Sequence, residues 1–231
     1  DLLVDFFTYG GAWATNNLTN TGSGVGAVYE IGDSGFSVSG NYVSINGDDS
    51  SKGLGTDESI STSTWQLFYS GEAFGGNLLA QLGYAYEQGT TNTNSDSYTG
   101  FGTSAAGTAM AGNGEGYSIA AAWQPADSGL IPSISTGFSS YDPETAGQKD
   151  VEGWYVGFEW SDVFIEGNSF GYAIGSAPNT GSSDDNTIWE AFYSMPVTDN
   201  ITVTPAIFGW DADAAADKDG FGGMVKTTFK F

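Results

Sequence analysis

The sequence predicts an all-β chain folded as a transmembrane antiparallel β-barrel, and three observations carry that expectation. The last segment, 220–231, alternates: Phe221, Val225, Thr227, Phe229 and Phe231 fall on one face, and Met224, Lys226, Thr228 and Lys230 on the other. Successive strand side chains point to opposite faces, so one face suits lipid while the other, with its lysines, suits water. Long polar connectors alternate with short ones along the chain, a parity that a soluble sandwich has no reason to keep. Nowhere among the 231 residues do the roughly 18 consecutive apolar residues of a membrane helix occur, which excludes a helical membrane protein.

Composition agrees with one large β domain over residues 1–231, with 35 Gly, 15% aromatics and 6 Pro. The absence of cysteine suits an oxidising cell-envelope compartment. The chain begins at Asp1 without Met, a basic leader or an apolar signal core, so the expectation is a removed secretory segment or a missing N-terminal part of a longer protein. Against 28 Asp plus Glu stand 5 Lys and no Arg, a formal net charge of −23. Nucleic acid is excluded as a partner, because phosphate binding needs clustered bases. The acids read either as solvated loop residues or as a field that concentrates cations at a pore mouth.

About twelve stretches of strand character follow in order. The connectors around residues 14–24, 47–58, 91–114, 142–150, 178–185 and 211–219 are long and polar, and those at 32–35, 71–76, 126–129, 161–167 and 197–200 are short. Between them, Trp65, Leu67 and Tyr69 oppose Thr64, Gln66 and Ser70. Leu78, Ala80, Leu82, Tyr84 and Tyr86 oppose Gln81, Gly83 and Glu87, and Tyr117, Ile119, Ala121 and Trp123 oppose Ser118, Ala120 and Gln124. Trp154, Val156, Phe158 and Trp160 oppose Gly153, Tyr155, Gly157 and Glu159, and Ile201, Val203 and Ile207 oppose Thr202 and Thr204. Each strand thus has one oily face. Two strands are less regular: Trp189, Ala191, Tyr193 and Met195 would face lipid and leave Ile188, Glu190, Phe192 and Ser194 opposite, while Phe208 and Trp210 share the inward parity, unless a bulge re-aims them. Tyr84, Tyr86, Trp123, Trp160 and Tyr193 gather toward strand ends, as interfacial girdles do. The competing reading is a soluble barrel or sandwich whose oily face is its core, disfavoured by the small residues opposite and by the loop parity.

Three segments carry a resemblance. Glu190-Ala191-Phe192-Tyr193 with 196–208 (PVTDNITVTPAIF), 225–231 (VKTTFKF), and the turn 162–168 (DVFIEGN) resemble cyanobacterial outer-membrane porins, closely over 153–231 and more loosely over 14–86. Members of that family usually carry an S-layer-homology domain, a coiled coil and further barrel strands ahead of this region. The resemblance therefore implies the C-terminal part of a barrel of the outer-membrane porin type, one of about 16 strands once further strands are added, or a trimmed form of one; the connector parity puts the C-terminus on the periplasmic side. The resemblance also implies trimers, passive diffusion of small hydrophilic solutes and inorganic ions, iron among them, and the ion and carbohydrate transport classes. The terminal aromatics Phe229 and Phe231 then resemble the signal read by the barrel-insertion machinery.

Strand parity nominates the water-facing charges: acids Asp5, Glu30, Glu87, Glu159 and Glu190, and bases Lys226 and Lys230. Together they imply a modest cation preference, each alone being a solvated wall residue. The loop 91–114 is the candidate constriction and carries Asp96 as its distinctive charge. Without His or Cys, catalytic triads, haem and typical zinc sites are impossible, so no enzyme and no cofactor are expected. Asp211, Asp213, Asp217 and Asp219 in one loop, or Asp184 and Asp185, offer oxygen ligands to calcium, although their spacing misses the EF-hand pattern. The expectation is a passive, weakly cation-favouring channel in outer-membrane lipid. The alternative is a structural or adhesive outer-membrane barrel with a narrow or plugged lumen and acidic ion-binding loops.

Overall fold

The structure is a computed structural model that describes residues 22–44, 47–51, 54–88, 113–127, 129–144, 150–177, 186–211 and 219–231. Eleven strands form one sheet in sequence order: β1 (Ser23–Glu30), β2 (Phe36–Ser44), β3 (Ser61–Ala73), β4 (Gly76–Gln88), β5 (Gly114–Pro125), β6 (Ser133–Pro143), β7 (Val151–Ser161), β8 (Ser169–Ala177), β9 (Asn186–Thr198), β10 (Ile201–Asp211) and β11 (Gly220–Phe229). Every neighbouring pair is antiparallel. The expected first strand, with Asp5, lies outside the described residues, which leaves eleven strands of the twelve or so expected.

The expected alternation of connectors holds in part. β1–β2, β3–β4, β5–β6, β7–β8 and β9–β10 join at one end, here the turn end, and the other connectors fall at the loop end. Connectors 45–60 and 89–113 are long and 31–35, 74–75 and 199–200 short, but 126–132, 144–150 and 162–168 are each seven residues, because β6 begins only at Ser133 and runs on to Pro143. The two-residue turn Phe74–Gly75 has positive φ at both positions (53° and 74°), the geometry of a hairpin turn whose twist matches the flanking strands. The β7–β8 turn closes on itself: the Gly167 amide donates to Asp162 Oδ1 at 2.8 Å, and the Asn168 amide donates to the Ile165 carbonyl at 3.1 Å. Asp162, Phe164 and Gly167 all hold left-handed backbone there.

The sheet is one layer thick, and its two faces differ. On one lie Trp65, Leu67, Leu82, Tyr117, Ile119, Trp154 and Ile207, all exposed. On the other lie Thr64, Ala85, Ser118, Ser139, Tyr155, Ala173, Ile188, Phe192, Thr204 and Ala206, all buried. A cleft that spans β4 to β9 opens on this second face, so this face is the concave side. A soluble sandwich would bury its apolar face under a second sheet; here the apolar face is the exposed, convex one.

Large concave side chains lie over glycines on the adjacent strand. Phe192 covers Gly171, Phe208 covers Gly222 and Trp210 covers Gly220, and in each case a Cβ at the glycine would collide with the ring. The same device recurs on the convex side, with Trp65 over Gly40 and Trp189 over Gly209. Such aromatic–glycine pairs shield weak strand positions and fix register. The register of β9 against β10 shifts once, between Ile201 and Thr202. Pro196 sits beside this irregularity, where proline is tolerated. The shift lies at the turn end and leaves the parity expected for Ile188, Glu190, Phe192 and Ser194 intact, with all four buried on the concave face.

Candidate functional site

Three of the chain's carboxylates lie buried or half-buried on the concave face. Glu87 on β4 is 7% exposed, Glu190 on β9 is 0% exposed, and Glu159 on β7 is half-buried. Burying an ionised carboxylate is costly without polar partners, and each of these three has them. For Glu87 one partner is Tyr141 on β6, whose hydroxyl donates to Glu87 Oε2 at 3.0 Å. The ring crosses β5 to get there, through the space that Gly114 leaves open. Glu190 is flanked in register by Ala173 on β8 and Phe208 on β10, so a small neighbour on one side and a ring on the other enclose it.

Glu159 lines the concave cleft, about 570 Å³ in volume, together with Asn77, Leu79, Gln124, Ser133, Ser135 and Phe192. The register explains the grouping: Asn77 opposes Gln124, Leu79 opposes Ala122, and Ser133 opposes Glu159, all on one parity. The cleft therefore offers amide, hydroxyl and carboxylate groups over an apolar floor, a surface that water and hydrated cations wet.

The remaining candidates fall as follows. Glu30 is exposed on the edge strand β1 and opposes Ser37 on the concave parity. Lys226 opposes Thr204, whose hydroxyl donates to Ser194 at 3.2 Å, so this lysine stands on a hydroxyl row rather than in register with Glu190. Lys230 is exposed just past the end of β11, and its amide donates to the Asn200 carbonyl at 2.9 Å. Phe229 opposes Ile201, and both Phe229 and Phe231 are exposed. Asp5, Asp96, Asp184, Asp185, Asp213 and Asp217 lie outside the described residues. Asp211 and Asp219 are exposed at the loop end, and among the described residues no group of three or more Asp, Glu, His or Cys could hold a metal ion.

Sequence reading passed over two concave residues. Glu72 shares the parity of Thr64 and Gln66 and opposes Asn77, but a strand ended at Gly71 leaves it in a turn; β3 runs on to Ala73. Tyr141 carries no local signal, because its role depends on Glu87, which lies far away in sequence.

The convex side shows a regular device at the turn end. Trp123 Nε1 on β5 donates to the Ala73 carbonyl of the β3–β4 turn at 3.0 Å, and Trp160 Nε1 on β7 donates to the Leu130 carbonyl of the β5–β6 turn at 3.1 Å. On β9 the Tyr193 hydroxyl donates to the Val163 carbonyl of the β7–β8 turn at 2.8 Å and accepts from Asn168 Nδ2 at 2.8 Å. Each aromatic clasps the turn before its own strand. The backbone carbonyl of a turn thus satisfies the polar tip of each ring, which lets the ring body sit in apolar surroundings.

Comparison with solved structures finds the high-pH structure of OprB, an outer-membrane porin of Pseudomonas putida, with a TM-score of 0.57 and 14% identity; the match covers 88% of this chain and 57% of that one. The fold is therefore that of a porin-type β-barrel, and the chain spans little more than half of that protein. Among curated proteins, an uncharacterised protein of Nostoc sp. is 28% identical over 134 residues, which cover 52% of this chain and 22% of the relative. No protein-family model matches the chain.

Proposed function

We propose that the chain forms the wall of an outer-membrane diffusion channel, with its convex face against lipid and its concave face lining a water-filled lumen. The observation that carries this reading is the single curved sheet whose large apolar residues are exposed on the convex side while Glu87, Glu159 and Glu190, with amides and hydroxyls, lie on the concave side. In water such a convex face is an aggregation surface; in lipid it is a solvated one. The fold shared with OprB supports the same reading.

Closure follows from strand direction. β1 and β11 both run from the loop end to the turn end, so antiparallel closure needs an odd number of further strands. One such strand makes a narrow barrel of about twelve and five make an open one of about sixteen. The small size of the matched share of OprB supports the larger barrel, completed by segments beyond the described strands. The cyanobacterial porin likeness extends the proposal to a trimer in the outer membrane, with the C-terminus periplasmic and small solutes and inorganic ions, iron included, as cargo.

Lumen selectivity follows from Glu30, Glu87, Glu159 and Glu190 outweighing Lys226 and Lys230 on the concave parity, which favours cations weakly. Permeation is tested by swelling of proteoliposomes in neutral sugars of graded size. Faster swelling with the smaller sugars supports an open channel; swelling no faster than in protein-free vesicles overturns it and favours a plugged, structural barrel.

A further inference from the structure

Three hairpin tips at the turn end finish in a large apolar side chain standing in the open: Phe74 is 89% exposed, Leu130 96% and Phe164 94%. Turns between strands normally use Gly, Asn, Asp or Ser. Phe74 (φ 53°) and Phe164 (φ 62°) moreover hold left-handed backbone, which a bulky residue adopts only at a cost. A strained and fully exposed ring is a feature that a covering partner would explain.

The tips continue the convex face. Leu130 shares a cleft of about 540 Å³ with Trp160, Val163 and Phe170, and the Phe164 ring lies 6.3 Å from that of Tyr193. Trp160, Phe170 and Tyr193 all belong to the convex parity. So the apolar surface runs past the strand ends and onto the turns.

Band height shows why it must. On β5 and β7 the convex carboxylates Glu115 and Glu152 limit the apolar stretch at the loop end, leaving Tyr117 to Trp123 and Trp154 to Trp160 below them. Six residue steps span about 20 Å along a strand, or about 15 Å along the membrane normal at a usual barrel tilt, against an apolar band of about 25 Å in outer-membrane barrels. The turns add roughly 5–10 Å, which closes the gap.

We propose that Phe74, Leu130 and Phe164 are immersed in lipid, at the acyl–headgroup boundary of the leaflet on the turn side, and that the clasping aromatics Trp123, Trp160 and Tyr193 lie within the lipid rather than marking its edge. The proposal rests on the membrane-channel reading above. The chain contains no cysteine, so single Phe74→Cys, Leu130→Cys and Phe164→Cys variants each take one environment-sensitive NBD label. Ile207→Cys, mid-strand on the convex face, serves as the lipid reference and Asp199→Cys, at the polar β9–β10 turn, as the water reference. In phosphatidylethanolamine–phosphatidylglycerol vesicles the three tip labels are expected to emit blue-shifted light, quenched by brominated lipid as strongly as at Ile207, while Asp199 is quenched by aqueous iodide. Iodide-quenched tips beside a lipid-quenched Ile207 overturn the proposal alone and point to a water-facing tip or a protein partner. An iodide-quenched Ile207 overturns the membrane reading with it. Each tip is read separately, so a variant that fails to fold leaves two others to decide.

Discussion

The Tyr141 hydroxyl donates a 3.0 Å hydrogen bond to Glu87, joining β6 to β4 across the intervening strand. Gly114 on β5 makes the crossing possible, since a Cβ there would collide with the tyrosine. The contact fixes a buried carboxylate on the concave face near the loop end. Replacing Tyr141 by Phe removes one donor to a charged acceptor and is expected to cost about 1.5–3 kcal/mol. Gly114→Val should cost at least as much, by displacing the ring. Urea unfolding of the detergent-folded protein, followed by tryptophan fluorescence, measures both.

The turn clasp of Tyr193 gives a second test. Tyr193→Phe keeps the ring against Phe164 but loses the bond to the Val163 carbonyl and the one from Asn168. A loss of about 1–2 kcal/mol is expected, with little change in channel properties, since the residue is on the convex side. A large change in selectivity with unaltered stability would show that the side assignment is wrong.

The three concave carboxylates are predicted to bias ion entry. Glu87→Gln, Glu159→Gln and Glu190→Gln together should bring the cation-to-anion permeability ratio down toward unity, with the barrel retained. Glu159→Gln alone should account for the largest single share, because Glu159 is the most exposed of the three and lines the open cleft. Reversal potentials under a salt gradient measure the ratio, and an unchanged triple variant would remove these residues from the mechanism.

Phe231 ends the chain in the open beside the edge strand. Phe231→Ser should leave folding in detergent unaffected and reduce the amount of heat-modifiable barrel recovered from cells several-fold. Normal recovery would refute the assembly-signal role proposed for Phe231 from the porin resemblance.

Much of this architecture is legible in sequence because a strand's faces depend on parity alone. Trp65, Leu67 and Tyr69 against Thr64 and Gln66, or Trp189 against Glu190, needed only a period of two, and a single bulge beside Pro196 does not disturb them. The alternation of connector lengths survives only toward the two ends of the sheet, since 126–132, 144–150 and 162–168 are equal in length. What parity cannot supply is register and reach. Glu72 was hidden because turn residues Phe74–Gly75 tighten the hairpin and lengthen β3 beyond its apparent end. Tyr141 was hidden because its partner lies two strands away, and the clasps of Trp123, Trp160 and Tyr193 because each joins a ring to the backbone of another hairpin. Lys226 was placed on the concave side by parity, but only register shows that it stands beside Thr204 rather than Glu190.

The most direct test is single-channel conductance in planar bilayers, with the reversal potential recorded under a salt gradient, on the detergent-purified protein. Discrete steps with a reversal potential on the cation side are the expected result. Insertion of a folded, heat-modifiable barrel that passes no current would contradict the channel.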